Sequence, residues 1–385
     1  MAASETSSTI AGDSAPQRSL KIAVYGISKN EERHVARFMQ SVREADLVLI
    51  ADTGSGDETV PALRLSGAVV HQVTIVPWRF DDARNSALWL LPSDIDVCIS
   101  LDLDEVLTPG WRAAIERAWT TETTRLKYKF VSSWNADGSP GTIFWNQRIH
   151  ARRGYRWQMP IHEVIMWCGE GQESVAICEG FEAHHHPDEN KPRSNYLPML
   201  ERSAVEHPDD PRSAHYLGRE YFYWKQHAAA IRELQRSLAL PTATWLPQRA
   251  EACRLIGKCS DALGNPADAL TWYWKAVVEY PAQRESWVEL SRALYLRSDF
   301  AGGYYAARRA LGITARSLDY FNEPDAWGAQ PHDLLSVCAW HIGLKEEAAQ
   351  QAAIAAKLAP DDSRLQENLL FFQRLNAQHN SESRT

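Results

Sequence analysis

Three absences narrow the field. The chain of 385 residues has only six cysteines, at 98, 168, 178, 253, 259 and 338, and no Cys-x-x-Cys pair. That spacing excludes a zinc framework and a dense disulfide scaffold, and predicts reduced, mostly buried thiols of a cytoplasmic protein. No apolar run approaches the roughly 18 residues that a membrane helix needs, so none is expected to span a bilayer. No long Lys/Arg run occurs either, and the formal net charge is −8. A dedicated duplex binder would show a basic face, so that class is disfavoured.

What is present suits two domains, because 385 residues exceed one ordinary core. Residues 1–18 are rich in Ser, Thr and Ala and read as a disordered lead-in, neither signal peptide nor anchor. Fifteen Trp and thirteen Tyr are expected mainly as packing anchors.

Residues 19–200 alternate short apolar strands with helices. Strands are predicted near 21–27, 46–51, 68–75 and 96–101, with helices beginning near Asn30 (a predicted N-cap), Glu58 and Asp82. Such alternation indicates an α/β fold on a mostly parallel sheet. Ligands bind such sheets outside the carboxyl ends of the strands. Two acidic clusters fall there, Asp52-Thr53-Gly54-Ser55-Gly56-Asp57 and Asp102-Leu103-Asp104-Glu105. In an extended segment Asp102 and Asp104 share a face and suit one hard cation, which favours oxygen ligands.

Four ordered segments carry a resemblance. They are Tyr25–Glu32, Asp52–Thr59, Trp78–Asn85 and Asp102–Glu105. Together they resemble the family-2 glycosyltransferases, whose nucleotide-sugar-binding domain has the A-type fold. The resemblance implies a metal-dependent, inverting transfer of a sugar from a nucleoside-diphosphate donor, expected to be a uridine-diphosphate sugar. It implies that Glu32, Asp52, Arg84, Asn85 and Asp102 bind the donor and that Asp104 ligates manganese or magnesium. The family usually has Asp-Gly where Gly56-Asp57 stands, which leaves Asp57 without a role.

Arg148-Ile149-His150, Tyr155-Arg156-Trp157 and Ile161-His162-Glu163 resemble the family's acceptor-side segment, which implies that Trp157 and His162 line the acceptor side. Attack requires a base, and Glu163 is the candidate, with Asp104 and Glu105 as competitors. His184-His185-His186 cannot all bind one ion, because adjacent strand residues alternate faces. By resemblance, His185 completes the metal shell, with His186 and His184 as alternatives. Lys191 and Arg193 are candidates for diphosphate contacts on a closing loop.

Residues 201–376 read as an all-α repeat array. Segments beginning at Tyr216, Leu255, Glu289 and Val337 each place small residues, such as Gly218, Gly257 and Ala307, where paired helices must approach closely. Pro281 and Pro360 follow two of the units. This resembles tetratricopeptide repeats. Residues 314–331 interrupt the array as a packed connector, a lid or an acceptor-contacting loop. The last helix is expected near 364–375, and 377–385 as a frayed tail.

Two functions compete on this reading. One is a hexosyltransferase whose acceptor is a peptide or protein, a saccharide or a modified nucleic-acid base, with the peptide slightly favoured. The other is a non-catalytic scaffold, a degenerate transferase domain carrying a protein-interaction module. A homodimer through the repeats fits either.

Overall fold

The computed structural model describes residues 19–135, 137–187 and 196–382, with side chains as far as Arg374. The lead-in at 1–18 and the Lys191 and Arg193 contacts lie outside the described residues.

The first half alternates as expected: β1 (Ile22–Ser28), α1 (Glu32–Ser41), β2 (Leu47–Asp52), α2 (Thr59–Leu65), β3 (Val69–Gln72), α3 (Phe80–Leu90) and β4 (Val97–Ser100). There follow β5 (Glu105–Leu107), α4 (Trp111–Ala118), β6 (Arg125–Val131), β7 (Ile143–Ala151), β8 (Tyr155–Gln158), β9 (Val164–Trp167) and β10 (Val175–His185). Eight strands form one sheet in the order β3-β2-β1-β4-β7-β6-β10-β5, while β8 and β9 pair separately. The sheet is mixed rather than mostly parallel. The β3-β2-β1-β4 half is parallel, but β7 runs antiparallel to both β4 and β6.

Period-two alternation divides the core. Ile22, Val24, Val48 and Ile50 face α1 and α4, meeting Phe38, Trp111 and Ile115. Ala23, Tyr25, Leu49 and Ala51 face the other way, onto Leu88 of α3 and Trp157 and Ile165 of the small ribbon.

On that second face runs a buried hydrogen-bond chain. Trp157 Nε1 donates to the Tyr25 hydroxyl, which lies 2.9 Å from His150 Nε2, while His150 Nδ1 lies 2.8 Å from the Ala151 carbonyl. Burial pushes the His150 imidazole from its ordinary 6.5 down to about 3. A histidine buried neutral favours folding above its unfolded pKa, and that stability is lost as pH falls from about 6.5 towards 3. Acidifying from pH 7 to 5 is therefore expected to cost about 2 kcal/mol through this group. Urea unfolding at the two pH values checks it; His150→Asn should flatten the difference.

The second half begins with α5 (Tyr196–Glu206), which crosses the expected boundary at residue 200. Four antiparallel pairs follow: α6 (Pro211–Tyr223) with α7 (His227–Ala239), α8 (Leu246–Ala262) with α9 (Pro266–Glu279), α10 (Arg284–Leu296) with α11 (Phe300–Gly312), and α12 (Gln330–His341) with α13 (Lys345–Leu358). The expected small residues mark the close approaches. A β-carbon on Gly218 would stand 2.6 Å from Leu234, and one on Gly257 2.7 Å from Tyr273. The closing helix α14 (Ser363–Glu382) runs past the expected stop near residue 375, because no Gly or Pro interrupts it. All six cysteines are free, and only Cys168 is exposed. No helix among the described residues is long and apolar enough to cross a membrane.

The halves meet through a shared apolar cluster. Phe80 and Ile161 of the sheet domain pack with Leu200, Tyr216, Leu217 and Tyr320. The 314–331 insertion is both connector and wall. Its Leu318 carbonyl accepts a hydrogen bond from Trp145 of β7, Asp319, Phe321 and Asn322 are buried, and Tyr320 faces the cavity described next.

Candidate active site

Strands β2 and β4 lie on either side of β1 and run parallel to it, so Asp52 and Asp102 leave the same rim. Gly26 sets their spacing, since a β-carbon there would collide with the Leu101 carbonyl one residue before Asp102.

The two acidic clusters do different work. Asp52 is fully buried. Its carboxylate accepts hydrogen bonds from the Ser28 and Ser55 hydroxyls and from the Gly54 and Ser55 amides, so it braces its own loop. Asn30 is not an N-cap. It takes a positive φ of 56°, and its side chain accepts from the Gly56 amide, tying the first loop to the second. Asp57, without a role on the sequence reading, accepts from the Glu32 amide and from the Thr59 amide and hydroxyl, steadying the starts of α1 and α2. Glu32 itself is exposed on α1 and is not among the residues lining the cavity.

Asp102 and Asp104 do not lie in an extended segment. The Glu105 amide donates to the Asp102 carbonyl and closes a turn, which buries Leu103 and separates the two carboxylates. Asp102 turns to Arg84 (2.8 Å) and Arg148 (3.2 Å). Burial alone would raise its pKa; the two guanidiniums outweigh burial and hold it well below the usual carboxylate range. Arg148 also reaches Glu105, which accepts from the Asp102 amide as well. Burial and the neighbouring carboxylates push Glu105 up to about 7 against the pull of Arg148.

Asp104 turns to the histidine run. Its Oδ2 lies 3.4 Å from His185 Nε2, and its carbonyl accepts from the His186 amide. Burial lowers the His185 pKa, but Asp104 more than offsets that and leaves it raised. Trp134, which the sequence reading does not single out, organises this run. It stacks on His186 at 5.7 Å, meets His184 edge-on and donates to the His185 carbonyl. His186 therefore packs against Trp134, and His185 is the imidazole beside Asp104.

Glu163 is bound to Arg84 through Oε1 and is nearly buried. Asn85 and Trp157 hold each other: the Asn85 amide exchanges two 2.9 Å hydrogen bonds with the Trp157 backbone. Trp157 is 1% exposed, so it supports the site from below, with the Arg84 guanidinium 5.1 Å from its ring centroid. His162 takes a φ of 52° and stacks on Tyr216 of α6 at 4.1 Å.

Above this network opens a cavity of about 970 Å³. Of the residues expected at the site, Arg84, Asp102, Trp157, His162, Glu163 and His185 line it together. Asp210, Arg212, Tyr216, Arg219 and Tyr320 form its opposite wall, from α6 and the insertion. Of that wall, only the insertion with Tyr320 is expected from the sequence, as one reading of residues 314–331; the α6 side is not. The insertion's advance signal is its aromatic content.

Among the described residues, no cluster of three or more His, Cys, Asp or Glu side chains is arranged to hold a metal. Asp104 and His185 still offer an oxygen and a nitrogen donor side by side. That mixed pair fits a transition-metal ion such as manganese better than magnesium, which takes oxygen ligands, with the remaining positions left to water and substrate oxygens.

No family model matches the chain, and no curated protein does. Solved structures similar to it include a crystal structure of MamA (13% identity, 44% of this chain and 85% of that one, TM-score 0.35). Another is YrrB, described as a TPR protein with an unusual peptide-binding site (13%, 47% and 83%, TM-score 0.36). A third is TTC0263, a thermophilic TPR protein of Thermus thermophilus (18%, 46% and 88%, TM-score 0.32). By its own helix pairing and sheet order, the chain is a mixed α/β sheet domain followed by a tetratricopeptide-like helical repeat domain.

Proposed function

We propose that the protein is a metal-dependent, inverting glycosyltransferase of the A-type fold that takes its sugar from a uridine-diphosphate donor. One observation carries the reading. Asp102, held by Arg84 and Arg148, and His185, paired with Asp104, line one half-open cavity outside the strand ends. Such rims are where α/β sheets bind ligands.

In this reading Asp104 and His185 hold manganese or magnesium. Bound there, the ion would supply positive charge to stabilise the leaving diphosphate. Asp102, oriented by its two arginines, belongs to the diphosphate side of the donor site. The acceptor oxygen attacks the sugar's anomeric carbon, the bond from that carbon to the diphosphate oxygen breaks, and Glu163 takes the acceptor proton. Arg84 occupies Glu163 Oε1, which leaves Oε2 for that proton. Glu105 is poorly placed as a rival base, because it is 3% exposed and both its oxygens are engaged. The repeat domain closes the acceptor side of the cavity, and a peptide or protein acceptor remains the favoured class.

Calorimetry with uridine diphosphate, with and without manganese, tests the donor. Binding that strengthens at least about ten-fold with manganese is expected, since charge-assisted contacts are worth about 1.5–3 kcal/mol. Asp104→Ala should remove the manganese dependence. No binding in either condition would leave the scaffold reading in its place.

A further inference from the structure

We infer that the repeat-side wall carries a second, anion-binding subsite, formed by Arg212 and Arg219 on α6, which takes a carboxylate or phosphate group of the acceptor. Most of the cavity's charges are paired. Arg84 is matched by Asp102 and Glu163, Arg148 by Asp102 and Glu105, and Arg125 by Glu173. The cavity's other carboxylate, Asp210, accepts from the Ser213 amide as the N-cap of α6.

Two lining guanidiniums remain. Arg212 donates only to neutral oxygens, the Tyr320 hydroxyl at 3.0 Å and the His162 carbonyl at 3.3 Å, and its Nε is buried with no partner. Arg219 makes no hydrogen bond or ion pair among the described residues. It packs on the Tyr216 ring with its guanidinium 4.5 Å from the centroid, and Arg212 packs on the same ring at 4.9 Å. Seven residues apart, the two share one face of α6, turned to the cavity.

Glu251 and Asp210 favour these charges only through space, since Glu251 is hydrogen-bonded to His215 and Asp210 caps α6. A desolvated guanidinium with no carboxylate bonded to it is costly, and its planar fork matches carboxylate and phosphate geometry. Arg212, Arg219 and the polar edge of Tyr320 thus form a cradle for one anionic group, on the part of the cavity wall that meets His162. The cradle stands on its own geometry; its meaning as an acceptor subsite rests on the transferase reading.

The test is titration of the full chain, in EDTA, with inorganic phosphate and separately with glutarate. Saturable binding of at least one is expected, weakened about ten-fold or more in Arg219→Met. Methionine keeps the packing on Tyr216, and Arg219 holds no hydrogen bond whose loss would unfold the chain. As a second reading, the anion should raise the wild-type melting temperature and leave that of Arg219→Met unmoved. A response to phosphate alone, to glutarate alone or to both identifies the group and supports the subsite. Absence of binding to the wild type, or equal binding to Arg219→Met, overturns it. Arg219→Met should bind uridine diphosphate with manganese as the wild type does. A normal anion isotherm in a chain that ignores uridine diphosphate would remove the transferase reading and leave the subsite.

Discussion

Glu163→Gln is expected to bind uridine diphosphate like the wild type and to transfer sugar about 10²–10⁴-fold more slowly, the usual contribution of a positioned base. Glutamine keeps the shape of the side chain, and its Oε1 can still accept from Arg84 Nε. What it loses is the capacity to take a proton at the second oxygen. The loss should therefore appear in kcat with KM for the donor little changed. Steady-state kinetics with a working acceptor read this split directly. Near-full turnover would place the base elsewhere. Neither rival is free: Asp104 stands against His185, and Glu105 is buried under Asp102.

Arg84→Met is the second large change. Arg84 joins α3 to two separate segments, bonding Asp102 after β4 and Glu163 before β9. Removing one partner of a buried ion pair typically costs about 3–5 kcal/mol, because a desolvated charge is left behind. Asp102 would retain Arg148, whereas Glu163 would lose the guanidinium that holds its Oε1. Chemical denaturation should show a loss in that range. Arg84→Lys should fall between, since an ammonium cannot reproduce the fork. A loss below about 1 kcal/mol would mean that the network is worth no more than a surface pair.

Much of this architecture can be read from residue order alone. β1, β2 and β4 and the four repeat pairs are legible because they are built from local periodicity and small-residue spacing. The strand-end position of Asp52 and Asp102 is legible for the same reason. The partners of Asp102 are not: Arg148 reaches it from β7, a strand that enters antiparallel to β4 after a long excursion, and no local pattern announces that pairing. The shared-face argument for Asp102 and Asp104 fails because a turn, closed by the Glu105 amide, stands where strand geometry is expected. Trp157 and Asn85 fall in segments that suggest substrate contact. In the fold they satisfy one another, as buried polar groups must. The far wall of the cavity depends on how two domains dock, which no single window of sequence encodes.

The order in which that cavity is assembled has a biosynthetic consequence. Asp104, Glu163 and His185 all belong to the N-terminal domain, which leaves the ribosome and folds first. Tyr320, which completes the opposite wall, is translated only after three helix pairs have been made. A nascent chain thus displays its acidic rim while one side is still open to solvent. Completion of that side of the cavity is withheld until the insertion has been made.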